Sequence, residues 1–99
     1  MFARVTTLNV QKDKIEALEK RLKEVTWPGT KEQKGYKGYL ALMNRETGEG
    51  IVIAIFDTEA NMLASQKAAY YESATNKDNL ATFGVKFNSI KSYSVGIKD

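Results

Sequence analysis

Few residues in this chain could do chemistry, and two absences narrow them further. The sequence contains neither histidine nor cysteine. That excludes an imidazole base, a histidine–aspartate triad, a histidine-ligated haem iron and a histidine or thiolate zinc site. It also excludes a disulfide framework, and no metal site is expected. What remains is a small set of polar and aromatic groups at suggestive places. Arg4 and Thr6 are the odd members of the row Phe2, Arg4, Thr6, Leu8, and either sit at a rim or line a cavity. Trp27, the single tryptophan, is either a lid on the core or the aromatic wall of a ligand cleft. Tyr36, Tyr70 and Tyr71 each combine a stacking face with a hydroxyl that can donate a hydrogen bond.

The elements that must position these groups follow from pattern. Residues 51–56, Ile-Val-Ile-Ala-Ile-Phe, are apolar on both parities. A half-wet strand alternates, whereas a continuous run rich in β-branched residues marks a strand covered on both faces. This strand is therefore expected at the centre of a sheet. Residues 2–10 form another strand with neither parity cleanly polar. Residues 12–25 read as a helix, with Ile15, Leu18, Leu22 and Val25 on one face. Glu16–Lys20 and Glu19–Lys23 are spaced as i,i+4 pairs on its charged side. Trp27-Pro28-Gly29-Thr30 is expected to end it, because proline disfavours helix at the residue before it and glycine permits a turn.

Strand two is expected at 39–44 and is joined to strand three by a hairpin loop at 44–50, with glycine available for positive φ. Arg45 sits in that loop and reads as solvated. Asp57 or Thr58 caps a second helical region, whose face Ala60, Leu63, Ala64, Lys67 is small-sided. A kink near 68–72 leads to a further segment reaching Phe83, with Leu80, Phe83 and Tyr70 or Tyr71 turned inward. Gly84 closes it. The last strand, from Val85 or Phe87 to Ile97, is half-polar and suits a sheet edge.

Strand, helix, strand, strand, helix, strand is the order of a ferredoxin-like α+β fold. It comprises a four-stranded antiparallel sheet with both helical regions on one face, in a single domain over residues 1–99. Helices on one face leave the other bare, yet strands one and three are apolar toward it as well. A bare apolar face on the order of several hundred Å2 exceeds what monomers expose. A homodimer packed sheet to sheet resolves the mismatch.

Composition sets the outer bounds. With 27% charged residues and a net charge of +3 spread among acids, there is no basic stripe for nucleic acid. No apolar run reaches the roughly 20 residues of a membrane span, and no signal-peptide pattern opens the chain. A cytoplasmic protein, with neither membrane nor nucleic-acid partner, is the default expectation.

At this point the sequence resembles the dimeric α/β-barrel superfamily and, within it, the antibiotic biosynthesis monooxygenase-like domains. The resemblance lies in Met1-Phe2-Ala3-Arg4-Val5-Thr6-Thr7, in Gly35-Tyr36-Lys37-Gly38 ahead of strand two, and in the turn at 44–50. It continues through Ile55-Phe56-Asp57-Thr58-Glu59-Ala60 and Tyr70-Tyr71-Glu72, and so spans nearly the whole chain. It implies an active site between the sheet and its own helices. Members resembling the quinone-forming enzymes oxidise aromatic compounds with O2 and need no metal or flavin, so no cofactor is expected. A haem-degrading branch carries asparagine, tryptophan and histidine where Thr6, Ser65 and Thr75 fall here, and all three differ.

Cofactor-free oxygenation needs an aromatic pocket, a group to hold a phenolate or enolate as charge builds, and exclusion of water. On this reading Arg4, Tyr70 and Tyr71 are the candidate catalytic residues. Thr6, Trp27 and Tyr36 would contact a small phenolic or quinol-type ligand. The plainer reading makes Arg4 one half of a salt bridge and the tyrosines packing at the core rim. A base would be the substrate's own oxygen or a perturbed carboxylate such as Asp57, which a helix cap explains better. The non-catalytic alternatives are a dimeric binder of a small ligand and a stress-related protein whose cleft is filled by side chains.

Overall fold

The apolar run at 51–56 lies within β3 (Glu49–Phe56), which is hydrogen-bonded on both sides. In this computed structural model the backbone is described for residues 1–99, and side chains for all but 73, 74 and 77–79. The sheet order is β2 (Tyr36–Met43), β3, β1 (Phe2–Val10), β4 (Val85–Ser94), all pairs antiparallel. The two strands that are apolar on both parities are thus the two central ones, and half-polar β4 lies at an edge. This is the ferredoxin-like α+β fold.

The β2–β3 hairpin forms as its sequence implies. Asn44 Oδ1 accepts from the amides of Glu46 and Thr47, and Gly48 turns the chain at φ 81°. A side chain at Gly48 would collide with the Val10 carbonyl. Arg45 is not free: its Nη2 meets Glu19 Oε1 at 2.7 Å, so Glu19 binds the hairpin rather than its helical neighbour Lys23.

The first helical layer departs from expectation at Trp27-Pro28-Gly29. Helix α1 (Ile15–Arg21) passes into a π-helical turn, Leu22–Thr26, and then into α2 (Trp27–Lys31). The Trp27 amide reaches back five residues to the Leu22 carbonyl. The wider turn hands over directly to Pro28 at the start of α2, where a missing N–H costs nothing. Proline here restarts a helix instead of ending one.

The second layer comprises α3 (Glu59–Ser65), α4 (Ala69–Thr75) and α5 (Lys77–Thr82). Thr58 Oγ1 caps α3 by accepting from the Asn61 amide at 3.1 Å. The buried face of α3 is Met62 and Ser65, and Leu63 is 46% exposed. The Ala60–Leu63–Ala64 face expected from spacing is therefore the outer one. Met62 decides the matter, because it packs on Ala54 and Phe56 of β3.

Helices and sheet enclose two apolar clusters. At one end Leu8, Val10, Ile15 and Leu18 are joined by Phe83, Val85 and Phe87. At the other Ala54, Phe56 and Met62 are joined by Phe2 and Tyr39. The opposite face of the sheet carries no helix, and Leu40 and Tyr93 there are each 51% exposed. Among the described residues no helix is long and apolar enough to cross a membrane.

Candidate functional site

Between the two clusters one row of residues crosses the sheet. Tyr39 of β2 pairs with Ala54 of β3, Ala54 with Arg4 of β1, and Arg4 with Ser92 of β4. A methyl group at Ala54, 2% exposed, leaves the space above it to its two large neighbours. The row opens into a cavity of about 80 Å3 between sheet and helices. Its floor includes Arg4, Thr6, Leu8, Tyr39 and Ala54, and its helical wall includes Arg21, Thr30, Tyr70, Tyr71 and Thr75. A dry cavity of about 150 Å3 takes one benzene, so this space is smaller than a single ring needs and no larger aromatic body suits it. Even a single ring requires the surrounding side chains to move outward.

Arg4 is the centre of the site. It is only 5% exposed, and no carboxylate among the described residues lies within ion-pair distance of it. Its Nη1 donates to Ser65 Oγ at 2.6 Å, and Nη2 makes a long contact of 3.4 Å to the Tyr70 hydroxyl. The Ser65 hydroxyl gives its own proton to the Met62 carbonyl at 2.6 Å, which leaves its oxygen free to accept from Arg4. The guanidinium lies over the Tyr71 ring, 4.6 Å from the centroid, and is 5.7 Å from that of Phe56. These are the contacts of a cation stabilised by π faces and neutral dipoles. No described carboxylate forms the salt bridge that was the simplest expectation for Arg4.

Tyr39 supplies the opposite condition. Its hydroxyl oxygen is buried and has no hydrogen-bond partner among the described groups. Burial pushes its pKa well above the ordinary tyrosine value; Tyr70 adds to the rise and Arg4 opposes it. The group is a neutral phenol with an unused donor, lying beside the cavity that Arg4 also lines.

Tyr70 and Tyr71 stand edge to face, with centroids 6.2 Å apart. Their position depends on Gly29 of α2: a Cβ there would come within 2.8 Å of the Tyr70 side chain. Gly29 serves a close approach between helices, not the turn its sequence suggests. Thr30, fully buried, satisfies its hydroxyl on the Thr26 carbonyl at 2.8 Å.

The sequence-derived candidates thus divide. Arg4, Thr6, Tyr70 and Tyr71 line one cavity. Trp27 and Tyr36 do not: they form a separate pair outside it, indole Nε1 donating to the Tyr36 hydroxyl at 3.2 Å, with Lys31 over the indole. Asp57 is not among the lining residues either; it accepts from Asn61 Nδ2 at 2.8 Å, and that bond holds its pKa below the usual value. Sequence reasoning missed Tyr39, Ser65 as the arginine's acceptor, and Arg21. For Tyr39 a signal existed, since it shares a row with Ala41 and Met43 facing the same side as Met62 and the core. Arg21 looked like one more charge on a solvated helix face.

This architecture, with its site between sheet and helices, defines a ferredoxin-like α+β domain. Residues 1–77 match the antibiotic biosynthesis monooxygenase family, and the chain belongs to that family. It matches no curated protein sequence. Among solved structures, a Deinococcus radiodurans protein of the same family description aligns at TM-score 0.79 and 19% identity, covering 100% of this chain and 96% of that one. A dimeric ferredoxin-like protein from an uncultured marine organism aligns at 0.71 and 16%, covering 99% and 96%. A point mutant of MhuD, with two manganese protoporphyrin IX molecules bound per active site, aligns at 0.77 and 14%, covering 100% and 98%. At these identities the likeness is one of fold.

Proposed function

We propose that this protein is a cofactor-independent monooxygenase acting on a one-ring phenolic or quinol compound in the sheet–helix cavity. The observation that carries this reading is Arg4: a guanidinium in the interior whose partners among the described residues are all neutral, lining a cavity beside an unused phenolic donor. Burying a cation without a counter-ion is costly, and an anion arriving in the cavity recovers part of that cost. The substrate's phenolic oxygen would lie between Arg4 and Tyr39. Loss of its proton leaves a phenolate held by Arg4, with Tyr39 donating as charge develops. Electrons pass from the electron-rich ring to O2, and one oxygen atom is bonded to carbon. The other leaves as water, so that a hydroquinone plus O2 gives a hydroxyquinone plus H2O. No described histidine or carboxylate lines the cavity, so the phenolic proton passes to water as the ligand enters, and the substrate is held as its phenolate.

The working unit in this proposal is a homodimer joined through the helix-free sheet face. The apolar exposure at Leu40, Leu42, Ile51 and Tyr93 supports it, as does the dimeric ferredoxin-like relative. The test is oxygen consumption with a panel of hydroquinones, with the larger hydroxyanthrones alongside as a check on size. Turnover by the parent that falls about 100-fold or more in Arg4→Ala supports the reading. Ligand binding without oxygen uptake would leave the alternative, a non-catalytic binder.

A further inference from the structure

Arg21 is the second cation of the cavity, and the reaction above gives it nothing to do. It is the last residue of α1, half-buried on the helical wall, while Arg4 rises from the sheet opposite. It makes no ion pair with any described residue, although Glu24 follows it by one helical turn. The described lining therefore includes two arginines and no carboxylate. Threonine and tyrosine hydroxyls and hydrocarbon make up the rest. Two like charges facing one small apolar space raise its potential and select for anions. One phenolate at Arg4 answers only one of them.

We infer that the natural ligand is a monocyclic phenolic acid whose ring carboxylate is held by Arg21 while its phenolic oxygen lies at Arg4 and Tyr39. A planar carboxylate matches the guanidinium fork with two parallel hydrogen bonds, a geometry that a phenolic oxygen cannot offer. The placement of the two cations, one on the sheet and one on the helices, suits two acidic groups set apart on one ring, as the carboxylate and the 5-hydroxyl of 2,5-dihydroxybenzoate are. Arg21 would then set specificity and orientation, and Arg4 would meet the reacting end. The inference rests on the cavity assignment made under the proposed function, but it does not require turnover.

The experiment is calorimetric titration of the full chain with 2,5-dihydroxybenzoate and with hydroquinone, which differ by the carboxylate. The parent protein is expected to bind the acid at least tenfold more tightly. Arg21→Gln should bring the two compounds within about twofold, and Arg21→Lys should recover part of the preference. Because Arg21 is only half-buried, unchanged melting of the variants separates lost binding from lost folding. Equal affinity of the parent for both compounds, binding of neither, or a preference that survives Arg21→Gln would overturn the inference. Preferred binding of the acid without oxygen uptake would sink the oxygenase reading and leave this one standing. Equal affinity for the two compounds, with both turned over, would do the reverse.

Discussion

Ile53 and Ala54 are consecutive residues of one strand, and they inhabit the two most different regions of this molecule. Ala54 faces the helices, where the sheet supports Arg4, Tyr39 and the cavity. Ile53 faces away, on the row it shares with Val5 and Leu40, where there is no helix. The helix-covered face is the more polar of the two at its centre, contrary to the usual rule that covering means hydrophobicity. A protein designed only for stability would reverse this, placing its uncharged surface inside and its arginine outside. The covered side thus holds a buried cation beside a cavity, and the bare side holds exposed hydrocarbon.

Substitutions break this contrast most strongly at the adjacent pair. Ala54→Lys puts an ammonium beside Arg4 in the interior, at a cost of several kcal/mol, comparable to the roughly 5–15 kcal/mol that holds a domain together. Loss of cooperative thermal unfolding is expected. Ile53→Lys should instead yield a folded subunit of half the parent's mass by sedimentation, with near-native circular dichroism. A folded Ala54→Lys protein, or an Ile53→Lys protein still at twice 11.1 kDa, would reverse the assignment of faces.

Arg4→Met comes next and works in the opposite direction. Replacing a buried charge with no described counter-ion by hydrocarbon is expected to leave stability unchanged or raise it by ~1–3 kcal/mol, even as turnover is lost. Differential scanning calorimetry would register this as a higher melting temperature, by about 4–8 °C per kcal/mol for a domain of this size. A melting temperature well below the parent's would mean that the guanidinium serves the fold.

Tyr39→Phe is the finer probe. It removes a buried hydroxyl without a partner, a group that costs ~1–3 kcal/mol when left unsatisfied, so the variant should be modestly more stable. Because the folded-state pKa of Tyr39 is raised, the native state holds its proton more tightly than the unfolded chain does. Stability from this group is full below the ordinary tyrosine value of about 10 and falls above it, by at most about 1.4 kcal/mol per pH unit. Urea titrations from about pH 9 to 11, spanning that value, should show the decline in the parent and a shallower one in the variant. Arg45→Ala, which breaks the exposed pair with Glu19, serves as a control on neither face and should cost under about 1 kcal/mol.

Much of the fold was legible because strands one and three have no polar parity to hide. Their pattern marked both as covered on two sides, put strand three at the centre, and left one face of the sheet bare. The hairpin was legible through Asn44 and Gly48, and the cap through Thr58. What escaped the sequence were features that depend on distant partners. Pro28 and Gly29 carry the local signature of a stop, and only the π-helical turn before them and the Tyr70 ring against them convert it into helix. The buried side of α3 was set by where Met62 could reach Ala54 and Phe56, not by its own spacing. In the site, Arg4 and Thr6 stood out because polar residues in an apolar row are conspicuous. Tyr39 did not, since tyrosine is ordinary in a strand, and Arg21 was indistinguishable from the charges around it. Trp27 and Tyr36 attracted notice by type, and topology placed them with each other.

The extra residue in the Leu22–Thr26 turn fixes the rotational phase of everything that follows it in that layer. Deleting one residue there would rotate α2 by about 100° about its axis. Gly29 would then swing off the ring it accommodates, and Thr30 would leave the interior. The upper wall of the cavity is thus held by a count of residues as much as by their identities. Shortening that turn would reshape the cavity that Arg4 lines.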